Sequence, residues 1–293
     1  GRLADAASGR AGANLITGAS PAAEPPRVAC LFSGGPVPVN AGRTLFESAP
    51  VFREALEKCR AELQSLEGVD LLALLYPAAD RHDDAERQLQ QPGLAQPVLY
   101  ALQTALLALW RSWGVAPTAV AGQGPGEFAA AYAAGVLELE EGLKLVNACA
   151  GSRATTAAGG GAPSIPFRDP QIHWVCASTG ENLRREEAAD PSHWIRRMQA
   201  PAQFEGALRR LPDSGYRIFL EIGPHPQVAF SGAEEAGIRI LPTLNQGADD
   251  WNQMLDSLAR LLAALSQDLR WAWVGCRLHT GRQKESKIRR AQF

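Results

Sequence analysis

The sequence predicts an α/β fold in which a parallel-centred sheet is flanked by helices. Two observations carry that prediction. Five short apolar runs of strand length recur through the chain, and most are separated by stretches whose apolar residues return at threes and fours. The composition, 46% hydrophobic and 20% charged with seven tryptophans, suits a packed globule of this length, 293 residues.

The elements follow in order. Residues 1–27 are rich in Ala, Gly and Pro, end in "SPAAEPP" and read as a linker. "RVACLF" is a buried strand, broken by "SGGPVPVN". "TLFESAPVFREALEKCRAELQ" is a helix that can place Phe46, Val51, Phe52, Leu56 and Cys59 on one face. "PVLYALQTALLALWRSWGV" is the strongest helical pattern, and Pro97 suits its first turn. "APTAVAG" is the next strand. It runs into a glycine turn and a helix whose apolar side carries Phe128, Tyr132, Val136 and Leu137. "LEEGLKLVNACAGSRA" continues as helix, and "TTAAGGGAPSIP" is a loop. "QIHWVCAS", "YRIFLEIGPH" and "GIRILPTL" are strands. "SHWIRRMQAPAQFEGALRRL" is helical apart from a break near Pro201, and "WNQMLDSLARLLAALSQ" is an amphipathic helix. Residues 266–293 are a polar, basic tail with Arg282, Lys284, Lys287, Arg289 and Arg290. The folded part is therefore expected over 28–265.

Composition excludes several functions. A net charge of −2 gives no pull toward nucleic acid or an anionic lipid surface. No apolar run reads as a membrane span, and the first residues lack the apolar centre of a secretory signal, so a cytoplasmic location is expected. Five dispersed cysteines without a C-x-x-C pair suggest reduced thiols. The five histidines show no metal-ligand spacing, so neither a metal nor a cofactor is expected.

The chemistry-bearing stretch is "VAGQGPGEFAAAYAAG", a strand end, a glycine turn and a helix. This is the shape of a nucleophile elbow, but the nucleophile position is Gly124. In order along the chain, "VACLFSGG", "LFESAPVFREALEKC", "LAQPVLYALQTALLALWRSWGVAPTAVAGQGPGEFAAAYAAGVLELEEGLKLV", "SHWIRRMQAPAQFEGAL" and "GYRIFLEIGPHPQV" resemble the acyltransferase domains of modular polyketide synthases. The resemblance covers about residues 1–275, with 1–27 similar to the ketosynthase–acyltransferase linker and 266–293 to the post-acyltransferase segment. It implies the large acyltransferase subdomain, with the ferredoxin-like small subdomain missing between Arg153 and Phe167. It also implies a serine nucleophile with a histidine base, an oxyanion site and an arginine for the substrate carboxylate. Here Gly124 stands for the serine and Gln123 for the histidine before it. Gly35 and Pro38 stand for two glutamines, and Cys149 stands for the arginine.

The resemblance thus implies no catalytic residue and a scaffolding domain. Its partners are the ketosynthase of the same synthase and, beyond that, a carrier protein or a separate acyltransferase. The alternative is a transferase or hydrolase with a relocated nucleophile at Cys149, Cys176 or Ser152. Cys149 reads better as a small apolar helix residue, His225 as a turn residue, and Glu127 as an answer to the helix dipole. With the small subdomain gone, the sheet face it covers in the family is expected to expose an apolar patch that invites association.

Overall fold

The computed structural model describes residues 27–150, 165–190, 193–196, 204–230, 233 and 237–265, all within the unit Ala22–Leu265. The segments 1–26, 151–164 and 266–293, which hold both expected linkers, Ser152, Arg153 and the basic tail, lie outside the described residues.

Five parallel strands form one sheet: β1 (Val28–Phe32), β2 (Ala119–Gly122), β3 (His173–Cys176), β4 (Ile218–Ile222) and β5 (Arg239–Pro242), in the order β3-β2-β1-β4-β5. All five were legible in the sequence because each is a short, nearly continuous apolar run, as a sheet covered on both faces demands. Alternation then sorts them. Val28, Cys30 and Phe32 of β1 face one apolar cluster, and Ala29 and Leu31 face the other.

The larger cluster is built by α1 (Arg43–Ser48), α2 (Pro50–Glu67), α3 (Leu71–Leu75), α4 (His82–Leu89), α5 (Pro92–Ser112), α6 (Gly126–Ala133), α7 (Leu139–Cys149) and α10 (Asp250–Leu265). The smaller one is covered by α9 (Glu205–Asp213), and α8 (Arg185–Ala189) follows β3. The expected single helix over 44–64 is two helices. Ala49 takes an extended conformation, and Pro50 starts α2 at its first position. Gly68, in the left-handed region at φ 68°, ends α2, and Asp70 caps α3 by accepting from the N–H groups of Leu72 and Ala73 at 3.1 and 3.4 Å.

Helix α5 corrects two further expectations. It begins at Pro92, so Pro97 lies inside the helix, where its ring nitrogen offers no donor to the Gly93 carbonyl. It is also buried all round: every residue from Pro97 to Leu107 is inside the protein. Its 21 residues are long and apolar enough to cross a membrane, yet 72% of the apolar 18-residue window within it is buried here, as befits a central core helix. Val136 and Leu137, expected on the elbow helix, lie beyond its end and are buried in the turn that follows.

Among the described residues there is one sheet and no second, ferredoxin-like unit. The expected bare apolar face is not seen among the described residues, whose exposed large hydrophobics are Val51, Leu66, Leu255 and Leu262, on α2 and α10. At the carboxyl ends of β1 and β4, α5 ties the two strands together. Gln103 of α5, fully buried, donates its side-chain amide to the carbonyls of Ser33 at 2.7 Å and Ile222 at 3.0 Å.

Candidate active site at the strand–helix elbow

In this strand order the direction of winding reverses between β1 and β4, so the loops that leave their carboxyl ends splay apart and open a crevice. Three segments meet there: Ser33–Val39 after β1, the elbow after β2, and Gly223–Val228 after β4.

The elbow is tightly made. The Gln123 N–H donates to the Phe32 carbonyl at 3.0 Å, which extends the β1–β2 ladder by one bond. The chain then turns, with the N–H groups of Gly126 and Glu127 donating to the carbonyls of Gln123 and Gly124 at 2.9 and 3.1 Å. Two glycines are dictated by backbone approach. A Cβ at Gly126 would lie 2.1 Å from the Phe32 carbonyl oxygen, and one at Gly122 would lie 2.4 Å from the Glu127 Cα. Phe128 anchors the helix behind the turn by stacking on Trp194, with ring centroids 4.8 Å apart.

At the tip, Gly124 has φ +52°, the left-handed turn that an elbow requires, and a Cβ there would meet nothing within 4 Å. The tip of the turn thus has room for a Cβ and carries none. The sequence reading missed the next residue. In an elbow the N–H following the nucleophile supplies one oxyanion donor. Here that residue is Pro125, which has no N–H. The signal was present in "GQGPGE".

Gly35 and Pro38 line a cavity of about 620 Å³ together with Pro125 and His225, so the structure brings three of the sequence-singled residues to the elbow's edge. A side chain at Gly35 would collide with the end of Gln227, whose Nε2 lies 1.7 Å from the Cβ position. Gln227 belongs to the loop after β4. Glu221, buried at the end of that strand, accepts the N–H of Gln227 at 2.7 Å and of Val228 at 3.2 Å and so fixes the loop. Burial pushes the Glu221 carboxyl above its ordinary pKa against the pull of those two donors. His225, read as a turn residue, does sit in a turn, but it also reaches this cavity. Burial lowers its pKa, which favours the neutral ring.

The other candidates do not assemble here. Cys149 ends α7 inside the apolar cluster and does not line the cavity. Burial pushes its thiol up to about 11. Cys176, in the edge strand β3, is buried with its Sγ 3.3 Å from Ser178 Oγ. A thiol held protonated is a poor nucleophile. Iodoacetamide at neutral pH is therefore expected to leave Cys149 unlabelled in the folded protein and to label it after denaturation. Peptide mapping that finds Cys149 labelled ahead of Cys30, Cys59 and Cys176 would restore it as a nucleophile. Glu127 is buried at the first turn of α6. Among the described residues one group, His82, Asp83 and Glu86, brings metal-ligand atoms within 4.8 Å of one another where the sequence offered no motif, but both acids are exposed, and exposed acidic groups are common without an ion.

Comparison with known proteins places this geometry. Residues 40–165 match the family model described as the acyl transferase domain. The chain is 41% identical over 170 residues to polyketide synthase GfsE of Streptomyces halstedii, covering 58% of this chain and 4% of that protein. It is 32% identical over 266 residues to the spectinabilin polyketide synthase system protein NorC of Streptomyces orinoci, covering 86% of this chain and 11% of that protein. The chain is thus similar, over the residues matched, to the acyl transferase domain and to parts of polyketide synthases. Among solved structures, the acyl transferase domain of ZmaA superposes with a TM-score of 0.70 at 23% identity, covering 82% of this chain and 76% of that one. At that identity the likeness speaks for the fold, which is the five-stranded parallel sheet with its flanking helices. The chain spans between 4% and 11% of these two synthases, so it corresponds to a small part of such proteins.

Proposed function

We propose that this acyl transferase domain is non-catalytic and acts as a scaffold within a cytoplasmic polyketide synthase, holding a neighbouring ketosynthase and offering a surface to a carrier protein or a separate acyltransferase. The observation that carries the proposal is the elbow, which is kept as architecture and emptied as chemistry. Gly122 and Gly126 still permit the close strand–helix approach, while Gly124 lacks a nucleophile and Pro125 lacks the oxyanion N–H. Gly35, Pro38, Gln123 and Cys149, where the family carries reactive or substrate-binding groups, point the same way. The buried, protonated thiol of Cys149 speaks against a relocated nucleophile. The ketosynthase as neighbour is supported by relatives that are large polyketide synthases and by the likeness of the terminal segments to acyltransferase-flanking linkers.

The test is deletion of residues 28–265 from the synthase, joined by a short flexible linker. The ketosynthase is expected to lose several degrees of thermal stability or to precipitate, while labelled malonyl-, methylmalonyl- and acetyl-CoA leave no acyl adduct on the isolated chain. A ketosynthase indifferent to the deletion, or a stoichiometric adduct on the wild-type chain, would overturn the proposal.

A further inference from the structure

One side chain joins two of the loops around the elbow by standing where another residue's side chain would be. Gly35, in the loop after β1, lines the cavity, and so does His225, in the loop after β4. A Cβ on Gly35 would lie 1.7 Å from Gln227 Nε2, 2.3 Å from its Cδ and 2.6 Å from its Oε1. The carboxamide of Gln227 therefore fills the volume in which a side chain at residue 35 would begin. The two cannot occupy it together.

Both loops are fixed on their far sides. Gly34 lets the β1 loop lie against the elbow, since a Cβ there would stand 2.4 Å from the Gln123 carbonyl oxygen and 3.1 Å from the Pro125 ring. In the β4 loop, the buried Glu221 carboxylate accepts the N–H groups of Gln227 at 2.7 Å and Val228 at 3.2 Å. The carboxamide itself adds a bond within its own loop, with Gln227 Nε2 2.9 Å from His225 Nε2. An amide nitrogen can only donate, so His225 Nε2 accepts and the ring proton is on Nδ1. The anchor at Glu221 is buried, whereas Gln227 is exposed. The carboxamide is thus the part that can turn, about its own side-chain bonds, without disturbing β1 or β4.

We propose that Gly35 and Gln227 form a clasp between the β1 and β4 loops, shut when the Gln227 carboxamide lies over Gly35 and open when it swings into solvent, and that the two loops loosen together when it opens. Glycine at residue 35 permits the shut state, and any side chain there selects the open one. Gly34–Val39 gives the cavity one wall and His225 another, so the clasp sets how far those walls can part. The clasp does not depend on the non-catalytic reading of the elbow.

The experiment uses the whole chain and ¹⁵N relaxation, with order parameters compared at Gly34, Val37 and Val39 in one loop and at His225, Gln227 and Val228 in the other. In the parent both loops are expected near the rigid value of about 0.85, with nuclear Overhauser contacts from the Gln227 side-chain amide protons to the Gly35 Hα protons. Gly35→Ala, which ejects the carboxamide, is expected to lower both loops together toward about 0.6 while β1 and β4 keep theirs. Gln227→Ala, a surface truncation that leaves the fold intact, is expected to do the same. The double variant should be no looser than either single one, because both remove the same contact. A parent without the contact between the Gln227 amide and Gly35, a Gln227→Ala variant whose two loops stay as rigid as the parent's, or single effects that simply add in the double variant would each overturn the clasp. An acyl adduct on the elbow would overturn the functional reading and leave the clasp standing, so the two failures are distinguishable.

Discussion

Gly126→Ala is expected to destabilise the domain by about 3 kcal/mol or more, the upper end of what overpacking a closed core costs. The reason lies in what the new methyl group meets. Its Cβ would stand 2.1 Å from the Phe32 carbonyl oxygen and 2.8 Å from the Phe32 carbonyl carbon, and both are backbone atoms of the central strand β1. A flexible side chain could swing away, but β1 is held in register by β2 on one side and β4 on the other. Relief requires α6 to move off the sheet, which would disturb the stack of Phe128 on Trp194. For a domain of this size the melting temperature should fall by roughly 6–12 °C. Gly93→Ala is the matched control: it lies in the first turn of α5, a Cβ there meets nothing within 4 Å, and replacing a helical glycine leaves stability unchanged or raises it by up to about 1 kcal/mol. A Gly126→Ala melting curve within about 2 °C of the parent would mean that the elbow glycines are not held by packing.

The contrast bears on what could be read in the sequence. The five strands were legible because a strand buried on both faces has little choice but to be apolar throughout. The long helix α5 was legible as a helix but not at its start. Pro97 looked like a first-turn proline, while Pro92 takes that position and α5 tolerates the second proline inside. The short helices α3, α4 and α8 left no periodic trace, since five to eight residues are too few to show one and they are held by caps and packing. At the site, the resemblance brought Gly35, Gln123 and Gly124 into one frame, and the fold does gather them. It could not supply Gln103, whose two hydrogen bonds span 70 and 119 residues of chain. Nor could it show Gln96 and His225 lining one cavity. Those contacts exist only after the sheet order has brought the loops of β1 and β4 together.

Neither Gly124→Ser nor the double variant Gly124→Ser, Pro125→Gln is expected to restore acyl transfer. Space is not the obstacle, since a Cβ at residue 124 meets nothing within 4 Å. The left-handed φ of +52° costs a serine only about 1–3 kcal/mol. The obstacle is chemical. A serine at its ordinary pKa attacks a thioester slowly unless a base takes its proton, and without one only the small residual rate of binding and oxyanion stabilisation survives. His225 is the one described histidine that reaches the elbow cavity, and its Nε2 is occupied by the Gln227 amide while its Nδ1 carries the proton, so it has no free lone pair to offer. The single variant also lacks the oxyanion donor at Pro125, a deficit of about 3–4 kcal/mol in the transition state, or roughly a hundred- to thousandfold in rate. The double variant returns that N–H and should gain by that factor on a rate too small to accumulate an acyl-enzyme. Intact-protein mass spectrometry after incubation with acetyl- and malonyl-CoA reads both variants directly. A stoichiometric mass increase mapped to residue 124 in the single variant would show that a base and an oxyanion site survive at this elbow. The same increase in the double variant alone would show that Pro125 was the missing part and that a base is within reach, and either result would overturn the scaffold assignment.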